Sequence, residues 1–569
     1  MQSVPETEPP LQHVRLNPRC GACRYAFEHH DRIASLMVSS SSPNDSLVDA
    51  QTFPKTEYGD VQGQNFFHLS VNCEECAMST ETCTVHIDCL NLYMKLAIFS
   101  HKLDRLWTAS VSVSPWPSSP VLPLPRLPAN LERCLSKANE LTGLGFLTRL
   151  PPELAAMILE LCEPGELFRL CAVEDMVDIL SETDDTMREP LQTVRSWHRG
   201  SRPSLTMRPS EEPIRVVIDA NGIRSLERPP FSEDPAADRY YATITPEAHD
   251  ALIYKYGFCQ LISARARDEW PIWDIAEPPK LEDCSLFPSR PEVHLERLDT
   301  INLSGCSGLT FFMSNAITRA VHVHTPRSPT AEVTFKSLPA NLKCTVIWIY
   351  VPISPSDPIK CFGTRRRVLA SGRTSFKKCY YLFETSLAGS CTAGQPFQNA
   401  TIDHVYSVYP DTTIIFNARR DQSYLCTGLF PRQSIQPSFQ KVSPRTSPFR
   451  THACYSVAKL DSVAGIRVYR EAATRKFRGM IIDYDDGAQR ALGDCRVGID
   501  PSEGCGSLND FHFALSFYRN SPVLEVVIGQ TPEEVEEKGT SWTQLVAGGI
   551  LEVWFISTAA TMHLHSEEG

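Results

Sequence analysis

CGAC at 20–23, HLSVNCEEC at 68–76 and CTVHIDC at 83–89 place Cys20, Cys23, His68, Cys73, Cys76, Cys83, His86 and Cys89 in one short stretch of the chain. A two-residue spacer lets a tight turn aim both thiolates at one ion, and Zn²⁺ takes four nitrogen or sulfur donors in a tetrahedron. Pairs of such pairs are what that geometry requires. Cys89 leads into LNLYMKLAIFSHKLDRLW (90–107), an apolar stretch of helical character. Thiolate charge is favoured at the N-terminus of a helix by its dipole and free amides. We therefore expect Cys20, Cys23, His86 and Cys89 to surround one zinc ion. Cys73 and Cys76, with Cys83 or His68, form a candidate second site. Structural zinc contributes roughly 10–16 kcal/mol to the folding of small fingers, against about 3–5 kcal/mol from the core of a segment this size. The expected role is structural, because Glu74 and Glu75 lack the helical HExxH frame of a catalytic ion.

Between the first pair and the helix, RIASLMV (32–38) and QNFFHLS (64–70) read as two strands. The resulting order of knuckle, hairpin and helix resembles a treble-clef finger. It also looks like RING and PHD fingers, although the span from Cys23 to His68 is long for the RING pattern.

Outward from this cluster, the chain runs to 569 residues, which suggests three or more units. Hydrophobic residues are 42% and charged residues 21%, so wholesale disorder, collagen-like repetition and coiled coil are excluded. A formal charge of −12 lacks the basic excess of a dedicated nucleic-acid binder. MQSVPETEPPL has no basic stretch leading into an apolar one, and runs such as Cys344 to Ile353 are short for a membrane span. The expectation is a soluble cytoplasmic or nuclear protein with no membrane or nucleic-acid partner. Its twenty cysteines then stay free or bind metal.

Residues 1–19 read as a disordered acidic tail and 20–110 as the zinc-binding module. SVSPWPSSPVLPLPRLPAN (112–130) carries six prolines, which makes 111–140 an extended linker. From 141 to 182 the chain becomes helical. Leu154, Met157, Ile158 and Leu161 fall at i, i+3, i+4 and i+7, with Pro151 and Pro152 at a first turn.

The run Leu150-Pro151-Pro152-Glu153-Leu154, continuing through Ile158, Leu161, Leu167, Leu170 and Val173, resembles an F-box of the short form common in fungal multi-domain proteins. That resemblance covers about thirty residues. It implies that these leucines and the leading proline pack against the helical adaptor of a cullin-type ubiquitin ligase, while the rest of the chain captures a target. After Val173 the sequence departs from fuller F-boxes, with Glu174-Asp175-Met176 in place of a Cys-Arg-x-Trp-like ending. A core helix pair is the competing reading of the same stripe.

After a second linker, 183–212, the text is β-like from 213 to 569: IRVVIDANGIRSL (214–226), CTVIWIYVPI (344–353), GMIIDYDDG (479–487) and ILEVWFIS (550–557) are rich in β-branched and aromatic residues and punctuated by turn formers. Regular βαβ alternation is absent, which favours an antiparallel sandwich or barrel. The expected fold class is multi-domain α+β: a small zinc module, a short helical F-box-like segment and a large, mainly antiparallel β region. Asp483, Asp485 and Asp486 before Gly487 read as a hairpin turn rather than a Ca²⁺ site. This hairpin faintly resembles jacalin-type carbohydrate-binding domains. His322 and His324 share a strand face without a third ligand at proper spacing, and Arg365-Arg366-Arg367 with Lys377 and Lys378 reads as a solvated charged face. No P-loop, GxGxxG, GxSxG or HExxH occurs. We expect no enzyme, but a recruiter whose β region binds a protein or glycan target, or alternatively a lectin-like binder with structural zinc and no ligase role.

Overall fold

Ile33, Ala34 and Leu36 alternate poorly with polar residues because the strand that carries them is buried on both faces. This strand, β2 (Arg32–Met37), lies between β3 (Ser46–Thr52) and β6 (Thr82–His86) in an antiparallel sheet, with Ile33 opposite His86. A second small sheet pairs β1 (Gln12–Arg15) in parallel with β5 (Asn65–His68), which also meets β4 (Asp60–Gln62). The hairpin partner of 32–37 is thus 46–52, and the expected strand at 65–68 pairs instead with residues 12–15 of the expected tail. These observations come from a computed structural model that describes residues 12–28, 30–37, 46–54, 60–62, 65–69, 82–116, 124, 130–143, 145, 149–151, 153–155, 157, 165–182, 185–231, 239–263, 271–287, 297–369, 371, 375, 378, 380–397, 401–419, 423–435, 439, 447–449, 452–518, 521–529 and 541–566.

The chain divides into two units at Pro278/Pro279, inside the β-rich text rather than before it. In the first unit, α1 (Ile87–Leu96) and α2 (Lys102–Val111) follow β6, and the break between them is marked by His101 at φ 53°. Further on come α3 (Leu131–Thr142) and α4 (Glu166–Ser181). Asn130 caps α3 by accepting a hydrogen bond from the Arg133 N–H, so the expected linker ends in a helix. One core joins Leu36 and Val85 of the sheet, Leu90 and Tyr93 of α1, Leu106 and Ala109 of α2, and Phe168, Cys171, Val173, Met176 and Leu180 of α4. The helix expected to stand apart is therefore packed against the segment that carries the Cys/His cluster.

The residues that follow Val173 make contacts within this chain. Glu174, Asp175 and Asp178 face α3, where Lys137 meets Glu174 at 2.9 Å and Arg133 meets Asp175 at 3.0 Å and Asp178 at 2.7 Å. The stretch at 174–178 is the polar seam of a helix pair within this chain.

The rest of the first unit is a β-sandwich. Strands β7 (Thr186–Pro190), β8 (Val194–His198), β9 (Ser204–Leu205), β10 (Ile214–Asp219), β11 (Gly222–Glu227), β12 (Tyr240–Ile244), β13 (Ala251–Lys255), β14 (Phe258–Ile262) and β15 (Ile272–Trp273) form two antiparallel layers. One layer holds β15-β12-β10-β11-β8-β9 and the other β14-β13-β7. Trp197, Val216, Leu226 and Ala242 of the first interdigitate with Leu252, Tyr254 and Leu261 of the second. The proline segment is stitched onto this sandwich. Trp116 and Leu124 enter its core, Leu261 N–H donates to Pro115 O (2.8 Å), and Gln260 Nε2 donates to Val111 O and Ser114 O. Buried aromatic and amide contacts thus tie the described parts of the expected extended linker, residues 112–116 and Leu124, to the sandwich.

The second unit is built from antiparallel sheets sharing one core that runs in sequence from Phe287 to Met562. The Gly549–Ile556 strand lies between Cys454–Lys459 and Ala559–Ser566, so the Leu551, Val553 and Phe555 side chains enter that core. The β-rich, mainly antiparallel expectation holds in both units.

Candidate metal centre

Cys20 and Cys23 bracket a knuckle closed by hydrogen bonds from Cys20 N–H to Tyr25 O (2.8 Å) and from Arg24 N–H to Cys20 O (2.9 Å). Arg24 adopts the left-handed region at φ 66° to complete the turn. Gly21 donates its N–H to Thr84 O of β6 (2.7 Å), which clamps the knuckle beside the other pair of ligands. A Cβ at Gly21 would lie 2.5 Å from Cys83 Sγ and 2.8 Å from Ser110 Oγ, so the approach needs glycine.

His86 ends β6 and caps α1, and Cys89 sits in the first turn of that helix. The strand-to-helix junction turns both inward. The ligand atoms of Cys20, Cys23, His86 and Cys89 all lie within 4.8 Å of one another, and all four residues are buried. His86 Nδ1 is 3.5 Å from Cys23 Sγ and 3.7 Å from Cys89 Sγ. Donors placed roughly 2.0–2.3 Å from a tetrahedral zinc lie roughly 3.5–3.8 Å apart. The observed edges therefore fit such an ion, and the three-sulfur, one-nitrogen donor set suits zinc.

Charge leads to the same conclusion. Burial opposes ionisation of Cys20, yet hydrogen bonds from Cys23, Cys89 and His86 hold its pKa well below the usual thiol value. The Cys23 thiol is pushed up mainly by its bond to Cys20, and Cys89 is pushed up by its bonds to Cys20 and Cys23. One thiolate thus suppresses its neighbours, and a divalent cation is what lets all three ionise together.

Around the ligands, Asp31 Oδ2 is 3.2 Å from His86 Nε2, on the far side of the ring from the sulfurs. The Phe27 ring lies 4.5 Å from the imidazole. A carboxylate in this position fixes the tautomer and raises the basicity of the ligating nitrogen. Asp31 escaped the sequence reading because no spacing rule points to it; only the register of β2 against β6 brings it beside His86. Arg24 donates to Ala109 O (2.8 Å) and Asn221 Oδ1 (3.1 Å), and burial lowers its pKa to about 10.

The other expected ligands are placed differently. Cys83 lies outside the four-atom group; it is buried against Gly21, with Ser110 as hydrogen-bond partner, and burial raises its thiol to about 12. His68 is buried in β5, its ring 5.7 Å from His13 and 5.3 Å from Phe66. Cys73 and Cys76 lie outside the described residues.

Of the F-box-like positions, Leu150 is half-buried, Pro151 is exposed, and Leu154 lies in a short helical stretch with 49% of its surface exposed. Met157, three residues on, is 59% exposed. Leu167 and Leu170 are half-buried on α4, and Ile158 and Leu161 lie outside the described residues.

The weaker constellations resolve physically. His322 Nδ1 meets Thr334 Oγ1 (2.9 Å) and its Nε2 meets Ser328 O (3.2 Å), while His324 bonds Thr310 Oγ1 (2.7 Å) and Pro329 O (2.9 Å). These imidazoles serve the β core. Asp483 is bidentate to Arg467 (3.0 and 2.9 Å) and Gly487 turns at φ 85°, as a hairpin requires. Arg365 and Arg366 are buried rather than solvated, and Arg365 holds Asp403 through two bonds of 2.7 and 2.8 Å. Among the described residues no helix is long and apolar enough to cross a membrane. No protein-family model matches the chain, and no curated protein matches it.

Proposed function

We propose that this chain is a non-enzymatic recruiter of the cytoplasm or nucleus, in which a structural zinc ion orders a helical platform and the β-rich region holds a protein or glycan target. The observation that carries the reading is the outward position of Leu154 and Met157, one turn apart on a helical stretch at 49% and 59% exposure. An apolar pair presented in this way suits a helical partner. The F-box resemblance of residues 150–173 gives that partner a chemistry, the helical adaptor of a cullin-type ubiquitin ligase. Zinc belongs to this reading as scaffold, because four buried protein donors complete a tetrahedron and leave no position for substrate or water.

Co-purification of the full chain with the adaptor tests the proposal. Wild type is expected to retain it and Leu154→Asp to lose it, with the zinc content of both unchanged. Equal failure of both proteins to bind overturns recruitment. The second reading, a β-domain binder with no ligase role, is favoured by the packing of α4 into its own core, which leaves Leu167 and Leu170 half-buried. Binding of the full chain to a glycan array, with no adaptor capture, selects it.

A further inference from the structure

One face of the β10 sheet packs the sandwich core, and Arg215, Val217 and Tyr241 on its other face are buried as well. Ile214, Val216 and Ile218 of β10 point into the core, while Arg215 lies on the opposite face. On β12, Tyr240 and Ala242 point inward and Tyr241 lies beside Val217 across the ladder. A recess of about 190 Å³ opens on this outer face, lined by Arg215, Arg224, Arg239, Tyr241, Glu227 and His198. A cavity of roughly 150 Å³ admits a benzene ring, so the space takes a compact molecule rather than a single water.

Among the described residues that line the recess, Arg215 is paired with Glu227 (2.8 Å), which Ser225 also holds (3.0 Å), so the charge the recess presents is that of Arg224. Arg224 is 3.9 Å from Asp219, a carboxylate that Arg199 takes bidentately at 2.6 and 3.0 Å. The Asp219 oxygens are thus committed elsewhere, and Arg224 keeps 44% of its side chain exposed.

A second observation is independent of charge. Tyr241 is 3% exposed, and its buried hydroxyl has no hydrogen-bond partner among the described residues. Leaving such a donor unmade is costly, and an anionic oxygen would satisfy it. Arg224 and Tyr241 line the same recess, and a guanidinium with a phenolic O–H is a donor set that oxyanions select.

We propose that this recess binds an oxyanion, a phosphate or carboxylate group on a compact body, with Arg224 supplying charge and the Tyr241 hydroxyl donating to an anionic oxygen. The recess shares no lining residue with the metal centre or with Leu154, so its test does not depend on the adaptor.

Titration of the full chain with inorganic phosphate at low ionic strength, followed by calorimetry, tests it. The expected result is saturable one-to-one binding with a Kd on the order of 1 mM. Tyr241→Phe and Arg224→Gln should each weaken binding roughly tenfold, with unchanged circular dichroism and melting in phosphate-free buffer. Acetate as competitor distinguishes the sources: displacement of phosphate at similar concentration assigns a carboxylate ligand, and failure to displace assigns a phosphate. Absence of saturable heat on the order of 20 mM phosphate, or wild-type affinity in both variants, overturns the proposal.

Discussion

Replacing Asp31 with asparagine isolates what a single charge contributes to the metal centre. Nδ1 of His86 faces the sulfurs at 3.5 and 3.7 Å, so a neutral ring ligating through Nδ1 carries its proton on Nε2 and donates it to Asp31 Oδ2 at 3.2 Å. The imidazole is 3% exposed and Asp31 17%, which limits screening by solvent. Two full charges at this separation would interact by about 5 kcal/mol at an effective dielectric of about 20. A ring ligated to zinc carries only part of a charge, so about 1–2 kcal/mol is the expected share, or roughly a tenfold loss of zinc affinity. Asparagine keeps an oxygen for the ring N–H and for the Glu28 N–H that donates to Asp31 Oδ2 at 2.6 Å, so the local turn survives. Competition of the full chain against a chromogenic zinc chelator near neutral pH reads the ratio directly. Circular dichroism at saturating zinc, unchanged between the two proteins, confirms that folding is not the variable. Affinities within twofold of one another would refute the role assigned to the carboxylate and, with it, ligation through Nδ1.

Four further outcomes are expected of the same molecule. Cys89→Ala should lower bound zinc by one ion per chain in metal analysis, whereas Cys83→Ala should leave the ion at Cys20, Cys23, His86 and Cys89 in place, because Cys83 lies outside that group. Burial pushes His324 down from 6.5 to about 4, so the unfolded chain binds the proton first. The stability it contributes is complete above about pH 6.5 and falls by about 3 kcal/mol as pH drops through 4. Urea unfolding at pH 7 and 4.5 should show a smaller loss for His324→Gln, and equal losses would contradict the assignment. Phe168→Ala removes a ring that is 2% exposed in the core shared by α4 and the zinc module, at an expected cost of about 3–5 kcal/mol in denaturant titration. Gly222→Ala sets a Cβ 2.0 Å from Ser112 O at φ 94°, and should lower stability by more than about 1 kcal/mol and detach the 112–116 segment, read as faster proteolysis there.

Chemistry that repeats at short range was legible from the residues alone. Two-residue spacers together with a helix start marked Cys20, Cys23, His86 and Cys89 as one group, the group whose ligand atoms could hold a metal ion, because a turn and a helix start are local structures. The β-rich character of both units was equally legible, since residue type and turn chemistry act over a few positions. Tertiary structure decided what depends on distant partners. Asp31 reaches His86 only through the pairing of β2 with β6, Arg365 loses its solvated face to Asp403, and the proline segment is tied down by Gln260 and Leu261. Leu167, Leu170 and Val173, which continue the F-box-like run, read alike for a partner's groove or the chain's own core; α1, α2 and α3 are what their helix packs against. Periodicity specifies which face of a helix is apolar, but only the folded chain supplies the surface that covers it.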